Sequence, residues 1–257
     1  MPQRLPSCAS LDSEAGGSHR EPMQKVRYDF RLDPKGPRGI ARSSWLDADG
    51  LGLMVIDVQN YITQPRFSGH WTADGGDSYY YVRAFDVVLP NIQKLIQAFH
   101  RLGRPVVHTR IASLNANLLD VPGLSRKVLA EETMDAQGRP YRLTYEAEAS
   151  QIDERLPLVP EDIVICKTAS GAFACADTDS ILRNNGISRL VFTGGLTDAC
   201  VASSVREAYD RGYLCTIAED ACLTSSAEDH EAALRSLAKF FGWVTTTEEI
   251  LKALPKK

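Results

Sequence analysis

The second half of the chain alternates short apolar runs with amphipathic ones at a steady rhythm, and few folds accept that pattern. "DIVICK" (162–167), "RLVFTG" (189–194) and "YLCTIAED" (213–220) read as strands. "ADTDSILRNNG" (176–186), "TDACVASSVREAYDRG" (197–212) and "SAEDHEAALRSLAKFFG" (226–242) read as helices, each with a glycine at its end. The first half opens in the same way. "LGLMVID" (51–57) is a strand, residues 85–103 place Ile92, Leu95, Ile96, Phe99 and Leu102 at helical spacing, and "RPVVHTR" (104–110) is a second strand. "WVTTTEEILKAL" adds a last strand and a terminal helix. Strands joined by helices pair in parallel, because a parallel neighbour needs a long crossover. The chain therefore predicts an α/β protein, a parallel sheet with helices on both faces.

The rhythm has no break that would split it, so residues 45–257 are expected to form one domain. Residues 1–44 form a polar N-terminal extension. Its first part, "MPQRLPSCASLDSEAGGSHREP", is rich in Pro, Ser and Gly, lacks an apolar core and carries Asp12, Glu14 and Glu21. That composition suits neither an export signal nor a transit peptide and predicts a disordered tail. Residues 111–150 are polar and poorly periodic, with a turn expected at "MDAQGRPYR".

Composition excludes several functions. The net charge of −4 over 257 residues argues against nucleic acid or an anionic membrane as partner, and no run approaches a membrane span. There is no G-x-G-x-x-G and no phosphate-binding loop. "DADG" (47–50) is followed by a strand rather than by further calcium ligands. The six cysteines, Cys8, Cys166, Cys175, Cys200, Cys215 and Cys222, include no C-x-x-C pair, so reduced thiols in a cytoplasm are expected.

In an open parallel sheet, ligands bind beyond the carboxyl ends of the strands. Asp57 ends the first strand and Lys167 the third; the fourth leads through "TGGLTDAC" to Cys200 in the first turn of the next helix. Singly these are ordinary structural residues: a turn aspartate, a surface lysine, a core cysteine. Together they make a nucleophile with its auxiliaries. A free thiol with a pKa of about 8.5 is mostly protonated at neutral pH. A helix N-terminus and a lysine both favour the thiolate, and an aspartate can take the proton and return it to a leaving amine. Gly194 and Gly195 allow a sharp turn that lets the N–H groups of Leu196 and Cys200 face a developing oxyanion.

At these residues the chain resembles the isochorismatase-like cysteine hydrolases. Three motifs agree in order: "VIDVQN" around Asp57, "VICKTASGAF" around Lys167 and "TGGLTDACV" around Cys200. The resemblance implies a three-layer α/β/α Rossmann-like fold, its six-stranded parallel sheet ordered 3-2-1-4-5-6. It implies Asp57 as base, Lys167 as its charged partner, Cys200 as nucleophile, and a cis peptide at Gly195–Leu196. With that order Lys167 stands two strands from Asp57, a gap that its long stem must bridge. The resemblance also implies a homo-oligomer, often a tetramer, acting on a small molecule.

Departures from the family narrow the chemistry. The metal pattern D-x-H of nicotinamidases is replaced by "VVHTRIAS", and His19, His70, His100, His108 and His230 lack ligand spacing, so neither metal nor cofactor is expected. Isochorismatases proper lack the nucleophilic cysteine. Likeness to biuret hydrolase ("HTR", "REAYDRGY", "EDAC") and to ureidoacrylate amidohydrolase ("DSILRNNGISRLVFTG", "FFGWV") points to a cysteine-dependent amidohydrolase cleaving a linear amide or ureido C–N bond. N-carbamoylsarcosine amidohydrolase belongs to the same group. Arg110, Gln59, Asn60 and Phe241 are candidate substrate contacts; an ion pair, a turn cap and core packing are their plainer roles. Trp243 and the "YYYVR" run (79–83) are more simply packing residues. The alternatives are a nicotinamidase- or maleamate-type amidase on the same fold, or a redox-sensing thiol protein with Cys166 or Cys175 as resolving partner.

Overall fold

The computed structural model describes Ile40 and residues 42–67, 79–127, 135, 137–139, 141–174 and 177–255. The expected tail lies outside these residues, as do Cys8, Cys175, His19 and His70. The described chain begins with a short helix, Arg42–Trp45, that buries Trp45 and Leu46.

Six strands form one sheet: β1 Leu51–Ile56, β2 Val106–Ile111, β3 Ile163–Lys167, β4 Arg189–Gly195, β5 Leu214–Leu223 and β6 Trp243–Thr245. All neighbouring pairs run parallel, in the order β3-β2-β1-β4-β5-β6. β1 lies at the middle, and all six of its residues are buried. Its alternate side chains go to opposite faces. Leu53 and Val55 join one core with Ile92, Leu95, Ile96 and Phe99 of α1 (Leu89–Leu102). Met54 and Ile56 join a second core with Leu182 of α2 (Thr178–Asn184), Val205 of α3 (Ala202–Asp210) and Leu234 of α4 (Ala227–Phe240). α5 (Thr247–Ala253) returns Ile250 to the first core. Burying each such Leu or Ile stabilises the fold by roughly 1.5–3 kcal/mol, so two apolar faces per strand hold three layers together.

Two local features differ from the simple pattern. β5 runs three residues beyond the apolar stretch, with a shift in pairing between Phe192 and Gly194 of its neighbour. The helix after β4 begins as a wider π-turn over Thr197–Val201 before becoming α3; such turns are frequent at functional sites. The turn expected in the polar segment is present: Asp135 N–H donates to Arg139 O at 2.9 Å. The "YYYVR" run is a helix that buries Tyr80 and Tyr81, in line with packing. Among the described residues no helix is long and apolar enough to cross a membrane.

Candidate active site

β1 ends at the centre of the sheet, and Asp57 follows it with φ +50°, in the left-handed region that aspartate tolerates better than most residues. That turn takes the side chain out of the strand's alternation. Thr109 of β2 holds it: its hydroxyl donates to Asp57 Oδ1 at 2.8 Å, and Asp57 N–H donates to Thr109 O at 3.2 Å. Opposite, Gly194 of β4 pairs with Ile56 at φ +101°. A Cβ on Gly194 would collide with the Ile56 backbone, so only glycine lets β4 pass this close.

Lys167 does bridge the two-strand gap. Strands stand about 4.8 Å apart, and the stem carries the ammonium past the end of β2 to 2.7 Å from Asp57 Oδ2. Both side chains are wholly buried. The ammonium also donates to the carbonyls of Ala169 and Ser170, each at 2.9 Å, and lies 3.5 Å from Cys200 Sγ. One cation thus sits between a carboxylate and a thiol.

The electrostatics follow from that arrangement. Burial opposes the Lys167 charge, but Asp57 and then Cys200 outweigh it and hold its pKa above the usual lysine value. Burial, followed by the Asp57 charge, pushes the Cys200 thiol up to about 12 against the pull of Lys167. Burial thus outweighs the helix N-terminus and the lysine, both of which favour the thiolate, and the thiol keeps its proton at neutral pH. Attack requires the proton to leave as the bond forms, and the neighbouring carboxylate is the group able to take it.

The Gly195–Leu196 peptide is cis. Leu196 N–H donates to no other group among the described residues, while Leu196 O accepts from Ala199 and Val201. Cys200 is partly exposed, whereas Cys215 and Cys222 are fully buried, their thiols pushed up chiefly by burial. Of these three, Cys200 alone is open to a small molecule; Cys166 is also partly exposed.

The four candidate substrate contacts are placed elsewhere. Gln59 is wholly buried and makes no helix cap. Its amide donates to Ile111 O at 3.1 Å and Ser150 O at 2.6 Å and accepts Ile111 N–H at 2.8 Å, so it holds the chain together rather than a ligand. Asn60 likewise donates to Glu148 O at 2.8 Å and accepts from Gln64. Arg110 binds Gln151 Oε1 at 2.9 Å and Tyr145 O and stacks on the Tyr145 ring at 4.0 Å; its two Nη groups serve the 144–151 segment, while its buried Nε has no hydrogen-bond partner among the described residues. Phe241 ends α4 just before β6, at the amino edge of the sheet, and packs edge-on against Tyr209. A residue that precedes a strand stands at the wrong edge for this site. Trp243, at the start of β6, is core.

Two neighbours carried no signal in the sequence. Tyr61, one turn beyond Asp57, is buried, and burial, then Asp57, then Cys200 raise its pKa well above the usual tyrosine value, so a protonated phenol stands within electrostatic reach of both groups. His230 bridges Thr197 Oγ1 and Arg83, each at 2.9 Å, and braces the turn next to Leu196.

Comparison with known proteins agrees with this fold. A model of the isochorismatase domain matches residues 52–249. An isochorismatase family protein from Burkholderia thailandensis is 26% identical, with a TM-score of 0.62 over 80% of this chain and 96% of its own. A cysteine hydrolase from Pseudomonas syringae (22% identity, TM-score 0.66, 81% and 94% covered) and an N-carbamoylsarcosine amidase from Thermoplasma acidophilum (20%, 0.58, 77% and 96%) share the fold. A domain model that spans most of the chain, a sheet ordered 3-2-1-4-5-6 and the three motifs at its carboxyl edge lead to one conclusion: this chain belongs to the isochorismatase domain family of hydrolases.

Proposed function

We propose that the protein is a cysteine-dependent amidohydrolase that cleaves a linear amide or ureido C–N bond of a small polar molecule. The observation that carries the reading is the position of Lys167, 2.7 Å from the Asp57 carboxylate and 3.5 Å from the Cys200 sulfur. Asp57 takes the thiol proton as the sulfur attacks the carbonyl carbon. The amides of Leu196 and Cys200 receive the oxyanion. As the tetrahedral adduct collapses, the C–N bond breaks and Asp57 returns the proton to the departing ammonia or amine, leaving an acyl or carbamoyl thioester. Water then loses a proton to Asp57 and attacks that carbon; the sulfur departs and is reprotonated, and the acid or carbamate is released. Lys167 stays charged throughout and remains paired with Asp57 between steps.

A redox-sensing role has less support. Cys166 precedes Lys167 in β3, so its side chain faces the other side of the sheet, and its thiol donates to Ala112 O at 3.3 Å. Self-association as a homo-oligomer in the cytoplasm belongs to the same reading, and light scattering tests the assembly. The function is tested by ammonia release from biuret, triuret, ureidoacrylate, N-carbamoyl amino acids, maleamate and nicotinamide. Release from ureido compounds that disappears in Cys200→Ala is expected. Strong activity on nicotinamide or maleamate alone would replace the ureido reading with the amidase alternative.

A further inference from the structure

Lys167 is aimed by its own loop. Its ammonium donates to the carbonyls of Ala169 and Ser170, so the position of that loop sets the position of the charge. The loop is in turn fastened to the helix that follows Cys200. Ser204 donates its hydroxyl hydrogen to Cys200 O at 2.7 Å and accepts the Ala172 N–H at 3.0 Å. Three residues on, on the same helix face, Glu207 Oε2 accepts the Phe173 N–H at 3.0 Å. Gly171 lies so close to that carboxylate that a Cβ there would collide with both oxygens. Ser204 is wholly buried, and its one hydroxyl serves the backbone of the nucleophile and the backbone of the lysine loop together.

We propose that Ser204 and Glu207 are positioning residues for Lys167, holding its ammonium in register with the Cys200 thiol. The proposal rests on the reading of Asp57, Lys167 and Cys200 given above, and extends it to two residues that bond to backbone. With Glu207 cut back to alanine, the loop is free to carry the ammonium away, and the thiol loses the one cation that opposes its burial.

Iodoacetamide labelling of Cys200 in the full chain, resolved by peptide mass spectrometry between pH 7 and 9, tests this. Below the thiol pKa the labelling rate follows the thiolate fraction. Glu207→Ala and Ser204→Ala are expected to label roughly tenfold more slowly at each pH, equivalent to about one pKa unit. Glu207→Gln keeps an acceptor for Phe173 N–H and is expected to stay within about threefold of the wild type. Lys167→Met sets the floor. If Glu207→Ala does not fold, Gly171→Ala displaces the same carboxylate and takes its place beside Ser204→Ala. Folded alanine variants that label at the wild-type rate overturn the proposal, as does Lys167→Met labelling like the wild type. Labelling needs no turnover, so a chain that hydrolyses none of the amides screened would remove the amidohydrolase reading and leave this test standing.

Discussion

Two buried polar regions lie within a few residues of each other and are built on opposite principles. At the end of β1, Asp57 meets Lys167 and Cys200, groups that can exchange or stabilise a proton. A turn later, Gln59, Asn60 and Thr63 form a seam with residues 148–155. There Gln59 and Asn60 are tied to backbone groups, while Asp153 is ringed by Arg155 and the Thr63 hydroxyl. Both regions are held by close polar contacts. A buried polar group bonded to peptide groups fixes the chain, because peptides do not titrate; one bonded to a thiol and an ammonium is set up for chemistry.

The sharpest break of that contrast is Cys200→Ala. It should lower hydrolysis at least about a thousandfold while shifting Tm by no more than about 2 °C, measured by ammonia release and calorimetry on one preparation. Lys167→Met removes the cation from a wholly buried pair, and urea titration should show a loss of about 3–5 kcal/mol; a wild-type midpoint would refute the pair's burial. Gln59→Leu should cost about 1–3 kcal/mol by stranding backbone groups, yet leave kcat/KM of the folded protein unchanged, and a selective fall in kcat would move Gln59 into the chemical region. The seam should also show in acid. Burial raises the Asp153 pKa, but Arg155 and Thr63 outweigh it and hold the carboxyl below its usual value. Its contribution is therefore present above about pH 4 and lost as pH falls through the depressed value, so Asp153→Asn should flatten the acid limb of a stability profile. Smallest is Phe241→Leu at the far edge of the sheet, expected to change stability by no more than about 1.5 kcal/mol and kcat/KM not at all.

The sheet was legible because its strands are apolar runs separated by helices that end in glycine, as at Gly103, Gly186 and Gly212. Asp57, Lys167 and Cys200 were legible as site candidates because each stands where an apolar run stops, and a parallel sheet brings such stops to one edge. Gln59, Asn60 and Phe241 take other roles in the structure for two physical reasons. Gln59 and Asn60 are polar at the right edge, but their partners come from Ser150 and Glu148, about ninety residues away in an aperiodic segment. No local pattern announces that contact. Phe241 was excluded by topology alone, since it precedes its strand. The extent to which burial raises the Cys200 thiol escaped the sequence as well. The dipole and lysine arguments were read from neighbours in the chain, whereas burial, the dominant influence on that thiol, is a property of the packed molecule.

The reach of Lys167 across β2 has a consequence for the architecture itself. Among the described residues β3 is an edge strand, with no strand paired on its other side, and edge strands are where pairing slips most readily. Its register against β2 sets Lys167 beside Ile111. A slip of one residue would turn the lysine to the opposite face and bring a neutral side chain to Asp57, leaving a buried carboxylate alone. The ion pair thus acts as an alignment pin for the outermost strand. Hydrogen exchange that quickens along β3 ahead of the central strands in Lys167→Met would be the sign of its removal.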